Sequence, residues 1–388
     1  MILANAKIYT MDNDQVIDSG YIVIENGKIK DVGDMKNCPL DKDVKDLKGK
    51  MVFPGFIDAH CHVGILEDGL TFEGDDVNES TDPVTPQIRG IDAINPMDVC
   101  FREALMAGVT TVATGPGSAN VIGGTFAILK TYGNCVDDMI VKENAAMKFA
   151  FGENPKGIYN QKGQTPMTRM GAVALIREQL LKAKEYLSKL EDYENDPEEN
   201  EKPDFDIKCE SLIPLLKGEM PMKAHAHRAD DIFSAIRIAR EFNLSLTIDH
   251  CTEGHLIKDA LGEYNYPCLV GPSLIGRSKP ELKNKTYSTP KELYEKGVSV
   301  SIITDHDVIP LEHLTICAAL SYKAGLPYME SLKAITINPA KALGIDDKVG
   351  SIKVGCDADI VVFSSDPLDI LSSPKMVIIN GLIIKEDI

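Results

Sequence analysis

The chain has 388 residues, 44% hydrophobic and 26% charged, which is enough apolar material for a sizeable core and too much for a disordered polymer. A formal net charge of -18 argues against a nucleic-acid partner, which would require a basic face. Nine cysteines scattered through so long a chain do not resemble a disulfide framework, and a reducing cytoplasm is the expected location. The opening Ile2-Leu3-Ala4-Asn5-Ala6-Lys7-Ile8-Tyr9 is strand-like and lacks the blocks of a signal peptide. No apolar run approaches the roughly 18 residues of a membrane span, so no membrane partner is expected.

Residues 1–52 read as short strands and turns. Tyr21 to Glu25 passes through Asn26-Gly27 into Lys28 to Val32, a strong hairpin signal. The stretch from residue 345 repeats the style, with Ala358 to Phe363, Lys375 to Ile379, Asn380-Gly381 and Leu382 to Lys385. Two β-rich ends around a different middle predict one small β domain built from both termini, 1–52 plus 345–388.

The middle, 53–344, alternates apolar strands with helical stretches, the pattern of βα units around a parallel sheet. Eight strands are expected: Phe56–Ala59, Thr110–Ala113, Phe126–Lys130, Met147–Phe151, Met222–His225, Leu244–Asp249, Cys268–Val270 and Val298–Thr304. Helices are expected from Asn95-Pro96 to Gly108, over Thr168 to Leu190 and over Asp230 to Phe242, while acidic Glu191 to Asp206 reads as a solvated loop. Eight such units predict an α/β chain with a (β/α)8 TIM barrel, whose functional groups stand at the C-terminal strand ends.

Those ends carry a chemical pattern. The first strand closes in His60-Cys61-His62, and alternation along a strand points the two imidazoles the same way. Same-side imidazoles can hold a transition metal, and neutral imidazole suits zinc, iron or nickel. The fourth strand runs into Glu153, the fifth into His225-Ala226-His227, the sixth into His250 and the eighth into Asp305-His306. Six of the eight histidines lie at or beside these ends.

These residues resemble the amidohydrolase superfamily, within it the branch related to imidazolonepropionase, over nearly the whole chain. Pro54-Gly55-Phe56-Ile57-Asp58-Ala59-His60-Cys61-His62 is similar to the family's signature. The N-terminus resembles half of its split β-sandwich, and Gly350 to Val362 its C-terminal return. The resemblance implies metal ligands His60, His62, His250 and Asp305, with Glu153 where other members use a carboxylated lysine. On the fifth strand His225 matches the family position, yet His227 shares its parity and is otherwise a candidate to face substrate. The implied cofactor is a divalent metal, zinc foremost, at one or two ions per chain. Asp305 would be the catalytic base of a metal-dependent hydrolase cleaving an amide or cyclic-amide C–N bond.

One departure matters. Ring-cleaving relatives with a single metal usually place a glutamate three residues after the fifth-strand histidine, where this chain has Arg228, which has no acid–base chemistry near neutral pH. That favours a two-metal hydrolase over the alternative of a mononuclear deaminase or imidazolonepropionase-like ring hydrolase. A non-enzymatic relative is the third reading, disfavoured because every expected ligand position is filled. For substrate, the glycine-rich 115–124 stretch with Gly123 and Gly124 can offer backbone N–H groups, and Lys130, Arg228 and Arg277 are cations suited to a carboxylate. A small, carboxylate-bearing molecule is therefore expected, and a homo-oligomer is compatible with the family. Cys61 and Cys251 are expected to pack away from the ligands.

Overall fold

The computed structural model describes residues 1–39 and 43–387. Sixteen strands make two sheets among these residues. The first five are β1 (Ile2–Tyr9), β2 (Val16–Glu25), β3 (Lys28–Asp34), β4 (Val44–Asp46) and β5 (Met51–Pro54). Eight follow in the middle: β6 (Phe56–Cys61), β7 (Val109–Thr114), β8 (Ile122–Lys130), β9 (Ile140–Ala150), β10 (Met222–Ala226), β11 (Leu246–His250), β12 (Cys268–Val270) and β13 (Val300–Ile302). The chain ends with β14 (Ile360–Phe363), β15 (Pro374–Ile379) and β16 (Leu382–Glu386).

One sheet runs β16-β15-β14-β5-β1-β2-β3, with β4 added beside β1, so it joins strands from both ends of the chain. Its two hairpins turn at Asn26-Gly27 and Asn380-Gly381, where all four residues have φ between 48° and 77°. Positive φ at both central residues defines the tight turn whose twist matches paired strands, which is why Asn-Gly recurs there.

The other sheet runs β6 through β13 in order and curls into a nearly closed barrel. Its seam lies between the first and last strands. Asp305 N–H donates to the His60 carbonyl at 3.2 Å and His62 N–H to the His306 carbonyl at 2.7 Å. Asp58 reinforces the closure: its carboxylate accepts from Thr304 N–H at 3.0 Å, Thr304 Oγ1 at 2.6 Å and His60 N–H at 3.0 Å. Burial pushes the Asp58 carboxyl up to about 6 despite these three donors.

A uniform βα repeat fails at the third strand. β8 is antiparallel to both β7 and β9, while the other neighbouring pairs are parallel. The cause is the connection: a parallel crossover needs a dozen or more residues, and only residues 115–121 lie between β7 and β8. The reversal places Gly124 opposite Lys148 near the end of β9, and Lys130 opposite Thr111 near the start of β7. Gly123 and Gly124 therefore belong to the end where β6 and β9 finish, and Lys130 to the opposite end.

Lys130 is thereby removed from any substrate role. It is buried and ion-pairs with Asp357, at 2.9 Å, and with Asp359, both on the approach to β14, so it rivets the barrel to the second sheet. Lys130→Ala is expected to cost about 3–5 kcal/mol, because Asp359 stays buried without its counter-charge. Urea unfolding checks this: a loss under about 1 kcal/mol contradicts it. Turnover per folded molecule should not change.

The barrel interior is filled by Ile57, Ala59, Ala113, Phe126, Ile128, Leu269 and Ile303, and its outer wall packs on helices through residues such as Ile176, Leu180, Ile232 and Ile236. The helix expected over Thr168 to Leu190 is Arg169–Asn195, with Thr168 Oγ1 capping Gly171 N–H at 2.9 Å. It enters the acidic segment because no glycine or proline intervenes before Pro197 and pairs such as Lys189–Glu185 support it. The helix expected from Asn95 instead begins at Val99, capped by Asp98. No helix among the described residues is long and apolar enough to cross a membrane.

Candidate metal centre

At the end of the barrel where the parallel strands finish, two trios of side chains converge. His60, His62 and Asp305 form one, and His225, His227 and His250 the other; within each, one donor atom per residue lies within 4.8 Å of the others. The trios adjoin. The His60 and His250 ring centroids are 5.1 Å apart, and the His225 and His227 rings lie 4.3 and 4.4 Å from His250. Asp305 spans both, with Oδ1 3.4 Å from His60 Nε2 and 3.6 Å from His62 Nε2, and Oδ2 3.9 Å from His250 Nδ1.

The imidazoles are held in register by their Nδ1 atoms. His62 Nδ1 donates to the Gly115 carbonyl at 2.7 Å, His250 Nδ1 to the Gly271 carbonyl at 2.8 Å, and His60 Nδ1 to Asp249 at 2.7 Å. His227 Nδ1 lies 2.8 Å from Thr252 Oγ1. A carbonyl only accepts, so Nδ1 keeps the proton and Nε2 presents a lone pair. Burial holds His60, His225, His227 and His250 well below the usual imidazole range, so they stay neutral, the form that binds metal. His250 Nε2 is buried with no hydrogen-bond partner. An inward-facing, unpaired lone pair amid neutral imidazoles and a carboxylate fits a divalent cation.

Further groups tune this cluster. Lys223 Nζ anchors Asp249 at 3.2 Å and donates to the Ala59 carbonyl at 2.8 Å, completing a lysine–carboxylate–histidine relay behind His60. His250, Cys251 and Asp305 have φ of 71°, 47° and 56°, left-handed conformations that non-glycine residues hold only under tertiary constraint. Cys61 and Cys251 are buried, and Cys61 Sγ is 3.5 Å from the Ala113 carbonyl.

The fourth strand supplies Lys148. Its side chain is fully buried over the Phe126 ring, with Nζ 3.3 Å from His60 Nε2, and its charge acts on histidines of both trios. Desolvation pushes this ammonium down to about 8. The expectation that Glu153 fills this position is corrected. Gly152, at φ 85°, turns the chain out of β9, and Glu153 opens the helix Glu153–Gln161, its carboxylate accepting from Glu281 N–H at 3.4 Å. The available signal was a lysine inside the apolar run Ala145–Phe151.

Arg228 also departs from its expected place, forking onto Asp230 at 2.9 and 3.0 Å ahead of the helix Ala229–Glu241. Arg277 is exposed and braces its own loop through the Lys283 and Lys285 carbonyls. His227 joins His225 in the second trio. Gly123 lies against Lys148, since a Cβ there would sit 3.4 Å from Lys148 Cγ, and Gly124 admits no side chain, its Cβ meeting the Ile88 carbonyl at 2.3 Å. Sequence reasoning missed Asn154, Lys279 and Glu281, which frame the second trio: Asn154 Nδ2 is 3.5 Å from His225 Nε2, and Lys279 Nζ is 2.6 Å from Glu281 Oε1.

The Amidohydrolase family profile matches residues 217–384. A crystal structure of an amidohydrolase from Thermotoga maritima MSB8 is 42% identical, with a TM-score of 0.95 and 99% of each chain covered. This chain belongs to the amidohydrolase family. An amidohydrolase of Hapsidospora irregularis is 30% identical over 386 residues, which are 93% of this chain; the chain spans only 39% of that relative's length. An imidazolonepropionase of Bacillus cereus strain AH187 is 24% identical over 392 residues, covering 90% of this chain and 84% of the relative. The branch related to imidazolonepropionase is thus the right neighbourhood, and family membership makes the chain a hydrolase acting on carbon–nitrogen bonds.

Proposed function

We propose that this amidohydrolase cleaves the amide bond of a small, carboxylate-bearing substrate at a site for two divalent ions, zinc foremost. The single observation that carries the reading is the pair of adjoining trios with Lys148 Nζ at their junction. His60, His62 and Asp305 would hold one ion, and His225, His227 and His250 the other. Bound metal supplies an acidified water and polarises the scissile carbonyl.

The chain's own groups do the rest. The Lys148 amine, once neutral, adds through its nitrogen to the carbon of CO2. A C–N bond would form as one C=O π bond opens onto oxygen, one proton would leave to solvent, and the resulting carbamate would give each trio an anionic oxygen. Asp305 takes the proton of the attacking water and returns it to the departing nitrogen. Phe126, its ring 5.2 Å from that of His60, would supply an apolar floor to the site. With Lys130 at the opposite end of the barrel and Arg228 tied to Asp230, Lys279, beside Asn154 and the second trio though paired with Glu281, would be the cation to meet a substrate carboxylate.

Single-metal ring cleavage is the weaker reading, since Arg228 stands where such chemistry would need an acid and is itself tied to Asp230. Stripping the protein with a chelator should abolish hydrolysis of N-acyl amino acids and dipeptides, and Zn2+ with bicarbonate should restore it. Elemental analysis of the reloaded protein should find about two ions per chain. One ion per chain, with no benefit from bicarbonate, would overturn the proposal.

A further inference from the structure

The loop after β12 brings a carboxylate into the second trio that the family resemblance does not supply. Glu281 sits in the short 3-10 turn Pro280–Leu282 and is 1% exposed. Its Oε1 lies 3.5 Å from His227 Nε2 and 4.0 Å from His225 Nε2. Its Oε2 has no hydrogen-bond partner. The surroundings are already acidic, with Glu153 accepting from the Glu281 N–H and Asp231 on the far side of Gly152.

These distances pose a physical problem. His227 Nδ1 lies 2.8 Å from Thr252 Oγ1, and with the ring proton on Nδ1 its Nε2 presents a lone pair toward Glu281. In that tautomer a carboxylate oxygen faces imidazole lone pairs, and a cation between them turns a repulsive contact into a favourable one. Lys279 supplies one cation, yet it approaches from the solvent side, about a third exposed, and leaves Oε2 unanswered. Four ligands about 2.1 Å from a tetrahedral ion lie about 3.4 Å apart, close to the spacing from Glu281 to the two histidines.

We propose that Glu281 is a ligand of the ion held by His225, His227 and His250, so that the loop after the seventh barrel strand closes this site with a carboxylate. The assignment rests on the two-ion reading above. It makes the two positions unequal: one is open beside Asp305, the other is enclosed by three imidazoles and a carboxylate.

The test uses the full chain, stripped of metal, reloaded with Zn2+ and bicarbonate, and followed by elemental analysis and by the rate of zinc release to a chelator. The wild type should hold about two ions. Glu281→Gln, which keeps the side chain's size, should hold about one, or release its second ion at least roughly tenfold faster, with an unaltered circular dichroism spectrum. Lys279→Met separates ligation from a merely structural ion pair. Freed of its competing ammonium, Glu281 should retain the second ion and release it more slowly. Glu281→Gln with two ions and an unchanged release rate would overturn the assignment while leaving the two-ion reading intact. Lys279→Met losing the second ion as readily as Glu281→Gln would overturn it too, by making the pair the support. A wild type with fewer than two ions would remove the two-ion reading, and this assignment with it.

Discussion

Asp305→Asn is expected to keep most of its metal and lose turnover by roughly 10³-fold. Asparagine matches aspartate in shape and retains a carbonyl oxygen toward His60 and His62, so ligation is weakened rather than removed. It also tolerates the left-handed backbone at this position, where φ is 56°. What it lacks is a basic oxygen. Asp305 reaches His60 and His62 through one oxygen and the His250 ring through the other, and in the proposed mechanism it carries the proton from water to the leaving nitrogen. Steady-state kinetics paired with metal analysis of the same preparation decide the matter. Turnover within a few-fold of wild type would exclude Asp305 as the proton carrier.

Lys148→Ala should be still more damaging, because it removes the proposed bridge between the two ion positions. Hydrolysis is expected to fall by about 10³-fold or more, with bound metal dropping from about two ions per chain to fewer than one. The cavity left above Phe126 is lined by neutral imidazoles and should admit a short carboxylic acid. Added propionate should therefore restore part of both metal binding and activity. Rescue distinguishes a missing anionic bridge from a collapsed core, which no small acid would repair. Full metal content in Lys148→Ala would refute the bridging role.

The sequence announces this site through residues that close apolar strands. His60, His62, His225, His250 and Asp305 each stand in the last two positions of a strand or just beyond one, and the barrel brings them to one end. Strand direction is not written in local composition, and for that reason Lys130 is misplaced from sequence. It closes an apolar run just as His225 does, but β8 points the other way. The evidence for reversal lies in the short connection over residues 115–121, not in the strand. Lys148 is hidden for a different reason: it stands inside its strand rather than at the tip, two residues before β9 ends. Glu153, the tip residue, is carried away by the turn at Gly152. Glu281 gives no pattern at all, since Arg277 to Lys285 reads as an ordinary charged loop and only folding presses it against the histidines.

The seam has a consequence for how this protein comes into being. Asp58 and Thr304 are 246 residues apart in sequence, yet their hydrogen bonds join the first barrel strand to the last. The same junction unites His60 and His62 with Asp305. During synthesis the histidine pair leaves the ribosome long before its carboxylate partner exists, and contacts of such separation are slow to form. A nascent or truncated chain ending before β13 thus carries two imidazoles without a completed first trio. Assembly of that trio therefore waits for ring closure.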